Sequence, residues 1–332
     1  MTDTASTESA VQAQLARLGE LRAAIARAVV GQDEVVEQLL IGLLAGGHCL
    51  LEGVPGLGKT LLVRSLGQAL ALDFRRIQFT PDLMPSDIIG TEILEEDHGT
   101  GRRVFKFQRG PVFTSLLLAD ELNRTPPKTQ AALLEAMQEH TVSYAGATHA
   151  LPKPFFVLAT QNPIEQAGTY PLPEAQLDRF LLHVRVAYPT EAEERAILVQ
   201  TTGSAQAAVP EVMGAEEVVA LQALTREVHV GEDLVAWITR LVRATRPGPD
   251  APEAVRQWVK WGAGPRAGQA LMLASRARAL LHGRFAATRE DVQALAGPVL
   301  RHRLLLSFAA EAEQKSPDDV VAALLGAVPF PA

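Results

Sequence analysis

The chain has 332 residues, of which 47% are hydrophobic and 21% charged, so it is long enough for about two domains and apolar enough to bury a core. Its single cysteine, Cys49, excludes a disulfide framework, and its formal charge of −7 argues against non-specific nucleic-acid binding by the chain as a whole. No apolar run approaches the roughly 20 residues of a membrane span, and the polar start lacks a signal peptide's apolar segment. We therefore expect a cytoplasmic protein.

The first 46 residues or so are predicted to be mostly helical. Residues 1–20 begin with a run rich in Thr, Ser and Ala, and we expect this segment to be flexible. Apolar residues at helical spacing then predict one helix that leads to Val30 and a second that ends near Gly46. Val30 lies shortly before a nucleotide motif, so it is predicted either to contact an adenine ring or to pack in the core.

Residues 53–60 read GVPGLGKT and fill every fixed position of the phosphate-binding pattern G-x-x-x-x-G-K-[ST]. An apolar segment predicts a strand before this loop, and apolar periodicity predicts a helix after it. In such a loop the backbone amides face a phosphate, Lys59 supplies charge for the β- and γ-phosphates, and Thr60 is placed to ligate Mg²⁺. The predicted ATP-binding residues here are Gly53, Pro55, Gly56, Leu57, Gly58, Lys59, Thr60 and Leu61.

A second motif follows the apolar run 116–119, which is typical of a strand buried on both faces. The run ends in Asp120 and Glu121. Asp120 is predicted to hold Mg²⁺, and Glu121 to orient and deprotonate the attacking water. A solvated charge pair at a strand end is the alternative, and the phosphate loop upstream favours the catalytic interpretation.

Two insertions and a polar strand end complete this part of the chain. Residues 88–108 and 142–148 are each predicted to form a hairpin, and the first is either a working protrusion or an ordinary surface excursion. The apolar run 155–159 predicts a further buried strand, which delivers Asn162. An amide there can hydrogen-bond the γ-phosphate or the water, although a turn residue before Pro163 is the alternative.

The rest of the chain changes from strands to helices. A fifth strand is predicted at 181–186, and five strands separated by helices indicate a parallel, three-layer α/β sheet. After residue 189 the periodicity is helical throughout. We therefore predict a nucleotide-binding core over residues 21–189 and a helical domain over residues 190–332.

With this order of motifs the chain resembles the AAA+ ATPases and, within them, the MoxR subfamily. Leu122 and Gly264 depart from the commoner Ile and Ser of that family, and neither change affects a chemical role. The matching stretches are GVPGLGKT (53–60), FQRGPVFTSLLLADELNRTPPKTQAALLEAMQE (107–139), FFVLATQNPIEQAGTYPLPEAQLDRFLL (155–182), GAGPRA (262–267) and VLRHRLLLSFAAEAE (299–313).

The resemblance implies a three-layer αβα P-loop domain followed by an all-α lid, and it assigns roles to the motif residues. Arg266 is expected at the start of a lid helix, where small lid rotations would bring it onto the γ-phosphate. Arg179 is expected to reach the ATP of a neighbouring subunit, whereas the residues alone leave an ion pair with Asp178 or Glu174 open. Arg124 is a weaker candidate for the subunit interface. The implied roles are Walker A for Lys59 and Thr60, Walker B for Asp120 and Glu121, sensor 1 for Asn162, arginine finger for Arg179 and sensor 2 for Arg266.

The resemblance also implies a function. It suggests a ring, as a hexamer, in which ATP hydrolysis drives remodelling, maturation or metal and cofactor insertion of client proteins, together with a partner that carries a von Willebrand factor A (VWA) domain. The two hairpins are then expected to face the pore. The alternatives are a DNA motor or loader and a nucleotide-switched scaffold. The second hairpin, residues 140–150, has no Lys or Arg, which argues against nucleic acid as a partner.

Overall fold

The computed structural model describes residues 2–96, 103–162, 168–202 and 208–331. The predicted turn of the first hairpin, residues 97–101, lies outside these ranges, as does Pro163. None of the helices in the described ranges is long and apolar enough to cross a membrane.

Eleven strands are described, and five of them form the central sheet. In chain order they are β1 (Cys49–Glu52), β2 (Phe74–Gln78), β3 (Gly90–Glu96), β4 (Arg103–Arg109), β5 (Leu116–Asp120), β6 (Thr141–Tyr144), β7 (Ala147–Ala150), β8 (Phe156–Gln161), β9 (Leu182–Arg185), β10 (Val259–Trp261) and β11 (Leu305–Leu306). The sheet has the order β2-β5-β8-β1-β9, and all of its neighbouring strands are parallel.

The described α-helices number fourteen, and the last eight follow the central sheet. They are α1 (Thr2–Ala26), α2 (Asp33–Leu44), α3 (Lys59–Ala69), α4 (Pro85–Ile89), α5 (Pro127–Glu139), α6 (Glu174–Leu177), α7 (Glu191–Thr202), α8 (Ala215–Glu227), α9 (Glu232–Ala244), α10 (Glu253–Trp258), α11 (Pro265–Leu281), α12 (Arg289–Leu300), α13 (Phe308–Ala312) and α14 (Pro317–Ala327). Short 3₁₀ turns occupy residues 122–124 and 301–303.

Two apolar layers enclose the sheet. Strands β5 and β8 consist of residues that are almost completely buried, so both of their faces are covered. One face packs against α1, α2 and α3 in an apolar cluster that continues into the lid helices α11 and α12. The other face packs against α5. The carboxyl ends of β1, β5 and β8 therefore meet at one edge of a rigid, three-layer core, which is where ligands bind in sheets of this type.

The five-stranded parallel sheet and the following helical region are confirmed. Three further details concern the N-terminal segment, the lid and the domain boundary. Helix α1 spans Thr2–Ala26, and its C-terminal half buries Leu18, Leu21 and Ile25 in the core, while the expected flexibility of residues 1–20 stays a prediction. The lid is helical as expected, and β10 and β11 add a short antiparallel ribbon within it. The core and lid share one apolar cluster, and the proposed boundary at residue 189 stays a prediction.

Both predicted hairpins are present in the described residues. Strands β3 and β4 form the first, and β6 and β7 form the second. The ring of Phe107 in the first hairpin stacks on Tyr144 of the second, with centroids 5.1 Å apart, and on His149 at 4.5 Å. The two hairpins are thus joined by their aromatic side chains.

A buried histidine fixes the residues that enter β1. The Nδ1 atom of His48 accepts a hydrogen bond from the Val157 amide at 3.1 Å, and its Nε2 donates to the Met137 carbonyl oxygen at 3.1 Å. This arrangement requires the neutral ring. Burial lowers the pKa of His48 from 6.5 to about 4, against the opposing effect of the Met137 hydrogen bond.

We expect His48 to make the protein's stability depend on pH. The unfolded chain takes up a proton at His48 near pH 6.5 and the folded chain only near pH 4, so its contribution is complete above pH 6.5 and is lost as the pH falls toward 4. The loss amounts to at most about 3 kcal/mol. Urea unfolding at pH 7 and pH 4.5 measures it, and His48→Gln should show a smaller change between the two pH values than wild type. An equal change in both proteins would contradict this role.

Candidate active site

The phosphate loop lies between β1 and α3. Gly56 and Gly58 have φ angles of +88° and +72°, a region that favours glycine, and α3 begins directly after them at Lys59. The Lys59 Nζ donates to the carbonyl oxygen of Gly53 at 2.5 Å, which places the ammonium over the loop. The loop amides, the N-terminus of α3 and this ammonium together form a site for a polyphosphate.

The charge of Lys59 is balanced by two carboxylates. Partial burial lowers its pKa, whereas Asp120 and Glu121 oppose this effect by favouring the charged form. The phosphate loop and the Asp-Glu pair therefore lie close enough to interact electrostatically. The sequence predicted this arrangement from the order of the two motifs.

The segment before α2 is attached to the phosphate loop. The Gln32 side chain donates from Nε2 to the carbonyl oxygen of Leu57 at 2.8 Å. Val30 lies two residues earlier and is half-buried. The structure thus places Val30 near the loop, and its contact with an adenine ring stays a prediction. Of the remaining loop residues, Pro55 is exposed and Leu61 is 45% exposed at the start of α3.

One threonine connects the two acidic residues at the end of β5. The Thr160 hydroxyl donates to Oδ1 of Asp120 at 2.7 Å and accepts from the backbone N–H of Glu121 at 2.8 Å. Glu121 has a φ of +57°, an unfavourable conformation for a residue with a Cβ, and strain of this kind often marks a functional position. Thr160 therefore stabilises the turn that fixes where Glu121 points.

Three further side chains hold the carboxylates. Gln78 donates from Nε2 to Oε2 of Glu121 at 2.7 Å, and Arg124 donates to the same oxygen at 2.8 Å. Arg76 contacts Oδ2 of Asp120 at 2.6 Å. Gln78, Arg76 and Thr160 were not among the predicted site residues, although Gln78 pairs with Asp120 in the parallel register of β2 and β5. Predicting these residues would have required the strand order, which places β2 and β8 on either side of β5.

Asn162 follows β8 at the same edge of the sheet and is only 5% exposed. Because β8 lies between β5 and β1, this edge brings the Asn162 position between the acidic pair and the phosphate loop. Sequence order alone predicted this juxtaposition. The hydrogen bond to a phosphate or water stays a prediction.

The donors at this edge fit a nucleoside triphosphate with Mg²⁺. The loop offers amides and an ammonium to the phosphates, while Thr60 and Asp120 offer the hard oxygen ligands that Mg²⁺ prefers. In the part of the chain that the structure describes, no three His, Cys, Asp or Glu side chains cluster as a self-sufficient metal site. A Mg²⁺ ion that is bound chiefly through phosphates and water needs no such cluster.

Arg179 lies near the amino ends of the sheet strands, at the edge of the sheet opposite the carboxyl ends that carry the phosphate loop and the acidic pair. The Leu181 amide donates to the carbonyl oxygen of His48, the residue before β1, whereas the phosphate loop follows the other end of β1. The four residues of β1 separate these edges by about 13 Å, at about 3.3 Å per residue. Within the described residues Arg179 forms no ion pair, so the alternative pairs with Asp178 and Glu174 are absent there.

Arg266 lies beside Arg179. It occupies the first turn of α11, and its guanidinium is 3.9 Å from the Asp178 carboxylate. Both arginines line a cavity of about 200 Å³ together with Gly47. Arg266 thus lies far from the phosphate loop of its own chain in this structure, and its approach to a γ-phosphate by lid rotation stays a prediction. Its position follows from the packing of α11 against α2 and α9, which the sequence pattern does not reveal.

The sheet carries a phosphate loop after β1 and an acidic pair at the end of β5, with β8 between these two strands, and a helical lid follows in the chain. Together these features define an AAA+ ATPase. Residues 48–182 match the family described as "ATPase family associated with various cellular activities (AAA)", and residues 252–324 match the AAA lid domain. The chain belongs to the MoxR family of AAA+ ATPases, as the following relatives show.

Chaperone MoxR1 of Mycobacterium tuberculosis is 46% identical over 308 residues, which cover 92% of this chain and 80% of the relative. Protein MoxR of Methylorubrum extorquens is 33% identical over 325 residues, covering 92% and 93% of the two chains. The crystal structure of a proposed ATPase from Cytophaga hutchinsonii superposes with a TM-score of 0.92 over the whole of both chains at 38% identity.

Proposed function

We propose that this protein hydrolyses Mg²⁺-ATP at sites shared between adjacent subunits of a ring, and that it uses the energy to remodel client proteins. The observation that carries the proposal is the position of Arg179 and Arg266 in one cavity, at the sheet edge opposite the phosphate loop of the same chain. Two arginines that lie far from the ATP site of their own chain can instead contact the ATP bound by a neighbouring subunit.

The phosphates would be bound by the loop between β1 and α3. Its amides and Lys59 are the ligands of the β- and γ-phosphates, and the positive end of α3 points at the same place. Thr60 and Asp120 would hold Mg²⁺, which neutralises charge on the phosphate oxygens when it is bound. Arg76 contacts Asp120 in the structure and would have to release an oxygen for that role.

Glu121 would act as the general base. Its carboxylate accepts hydrogen bonds from Gln78 and Arg124, which orient it, and the Thr160 hydroxyl fixes its backbone. A carboxylate held this way is placed to take a proton from the attacking water. Asn162, at the adjacent strand end, would hydrogen-bond the γ-phosphate or the water.

Arg179 and Arg266 would supply positive charge from the neighbouring subunit. The transition state of phosphoryl transfer spreads negative charge over the γ-phosphate oxygens, and added guanidinium groups stabilise it. Each subunit then completes its neighbour's site through head-to-tail contacts, which close into a ring. The family resemblance suggests six subunits.

The proposed client proteins and the proposed partner are inferred from the family resemblance. The name Chaperone MoxR1 of one relative supports a role in assisting other proteins. We propose maturation, or metal and cofactor insertion, of client proteins together with a VWA-domain partner. Affinity capture from native lysate with the Glu121→Gln protein held in ATP tests this, because slow turnover should prolong the bound state. Recovery of no VWA-domain protein in ATP beyond the amount in ADP would contradict the proposed partner.

The DNA-motor alternative gains no support from the hairpins. Tyr144, the one side chain in the second hairpin that suggested base stacking, packs its ring against Phe107 of the first hairpin. The strands of the second hairpin contain no Lys or Arg for phosphate contacts. An ATPase rate that rises on adding single-stranded DNA, and falls again with salt, would reverse this preference.

Lys59→Ala is expected to weaken ATP binding by roughly 10–100-fold, because a hydrogen bond to a charged group contributes about 1.5–3 kcal/mol. Titration with a fluorescent ATP analogue measures the dissociation constant. Lys128→Ala, which removes an exposed lysine from the first turn of α5, is the matched control and should bind as wild type. Wild-type affinity in Lys59→Ala would contradict the phosphate-loop assignment.

A further inference from the structure

The lid contacts the edge strand of the sheet through the turn 301–303, which follows α12. Strand β9 is the last strand of the sheet, so one of its edges faces the lid. Arg301 donates to the carbonyl oxygen of His183 at 2.9 Å, and His302 donates from Nε2 to the carbonyl oxygen of Phe180 at 3.0 Å. Side chains of the lid thus satisfy backbone groups that another strand would otherwise pair with.

Of the three residues in this turn, Arg303 makes the most hydrogen bonds to the core. Its Nε donates to Oδ1 of Asp178 at 2.7 Å, and one terminal nitrogen donates to the carbonyl oxygens of Phe180 at 2.7 Å and Asp178 at 3.3 Å. The other terminal nitrogen donates to the carbonyl oxygens of Leu181, at 3.3 Å, and Val299. The side chain is 3% exposed. Four of these five acceptors belong to residues 178–181, the segment that contains Arg179.

The contacts of Arg303 fall on both sides of Arg179. Asp178 is held by its side chain and its carbonyl group, and Phe180 by its carbonyl group, so the backbone around Arg179 is fixed to the lid. The Asp178 carboxylate is occupied by Arg303 and is near Arg266. Within the described part of the chain this carboxylate forms no ion pair with Arg179, which leaves the Arg179 guanidinium available to a ligand.

We propose that Arg303 is a positioning residue for Arg179. It fixes the segment 178–181 to the lid, so that the lid and the arginine that serves the neighbouring ATP move as one unit. A planar guanidinium with five donors can bridge these acceptors, whereas lysine carries a single ammonium group on a flexible stem and cannot reach all of them. This inference rests on the proposed function, in which Arg179 acts on the ATP of a neighbour.

Arg303→Lys is expected to lower the turnover number at saturating ATP by roughly 100-fold, the scale of effect that follows from a misplaced catalytic group. Its ATP dissociation constant should stay at the wild-type value, because the phosphate loop is untouched. The matched control is Arg278→Lys, another lid arginine, which pairs with buried Asp291 and contacts none of residues 178–181. Comparable loss of turnover in this control would show a general effect of lid damage and overturn the inference.

Mixed rings separate positioning in trans from damage to a subunit's own site. Mixed with Glu121→Gln subunits, which keep an intact Arg179 segment, Arg303→Lys subunits should regain turnover. The double variant Arg179→Ala with Arg303→Lys should be no slower than Arg179→Ala alone. If Arg179→Ala is rescued in such mixtures and Arg303→Lys is not, the inference fails while the shared site stands. If neither is rescued, the proposed function fails.

A second variant keeps the test decisive if Arg303→Lys does not fold. Asp178→Asn retains the shape of the side chain but removes the charge that Arg303 and Arg266 contact. It should show a smaller loss of turnover than Arg179→Ala, with the same rescue by Glu121→Gln subunits. Full wild-type turnover in a correctly folded Asp178→Asn protein would contradict the proposal.

Discussion

Arg179→Ala is expected to lower the ATP turnover number by about 10³–10⁵-fold, the range that a guanidinium contributes to phosphoryl transfer from outside the nucleotide site. ATP affinity should change little, because Arg179 lies across the sheet from the phosphate loop of its own chain. Steady-state phosphate release at saturating ATP measures the first quantity, and a nucleotide titration measures the second.

The matched control for this prediction is Arg240→Ala, which removes an exposed arginine from lid helix α9. It should retain the wild-type rate. Arg179→Lys should remain strongly impaired, because a lysine ammonium lacks the planar fork of donors that matches phosphate oxygens. The expected loss is at least about 10³-fold. A turnover number within about tenfold of wild type in Arg179→Ala would therefore show that Arg179 is not catalytic.

Glu121→Gln should lower turnover by about 10²–10⁴-fold, because the amide cannot accept the proton of the attacking water. The substitution keeps the length of the side chain and its capacity to accept hydrogen bonds from Gln78 and Arg124. ATP binding should therefore persist. A single-turnover experiment with labelled ATP measures the cleavage step directly.

Glu135→Gln is the control for Glu121→Gln, since it makes the same chemical change at an exposed position of α5. It should cleave ATP at the wild-type rate. An unchanged rate in Glu121→Gln would support the nucleotide-switched scaffold, or a base elsewhere in the site, instead of the proposed mechanism.

The sequence predicted those features that depend on short-range patterns. The apolar run at 116–119 lies in buried strand β5, and the run at 155–159 supplies most of buried strand β8. The phosphate loop lies between a strand and a helix as its motif requires. Asp120 and Glu121 follow one of these strands and Asn162 the next, so parallel topology brings them to one edge. Local pattern and chain order were sufficient for this half of the site.

The features that depend on tertiary packing were not predicted. Thr160 and Gln78 contact the acidic pair only because β2 and β8 flank β5, an order that periodicity does not encode. The position of Arg266 beside Arg179 follows from how the lid packs on the core. Arg303 lies in the matching stretch 299–313 but was given no role, since its contacts with the backbone of residues 178–181 cannot be read from a helical pattern.

The measurement that tests the shared site most directly mixes Arg179→Ala subunits with Glu121→Gln subunits at varied ratios. Each protein alone should be inactive. The mixture should regain turnover that peaks at intermediate ratios, because a site with Glu121 on one subunit and Arg179 on the next is complete. Inactivity at every ratio, or an isolated wild-type monomer that hydrolyses ATP at the full rate, would contradict a site built from two chains.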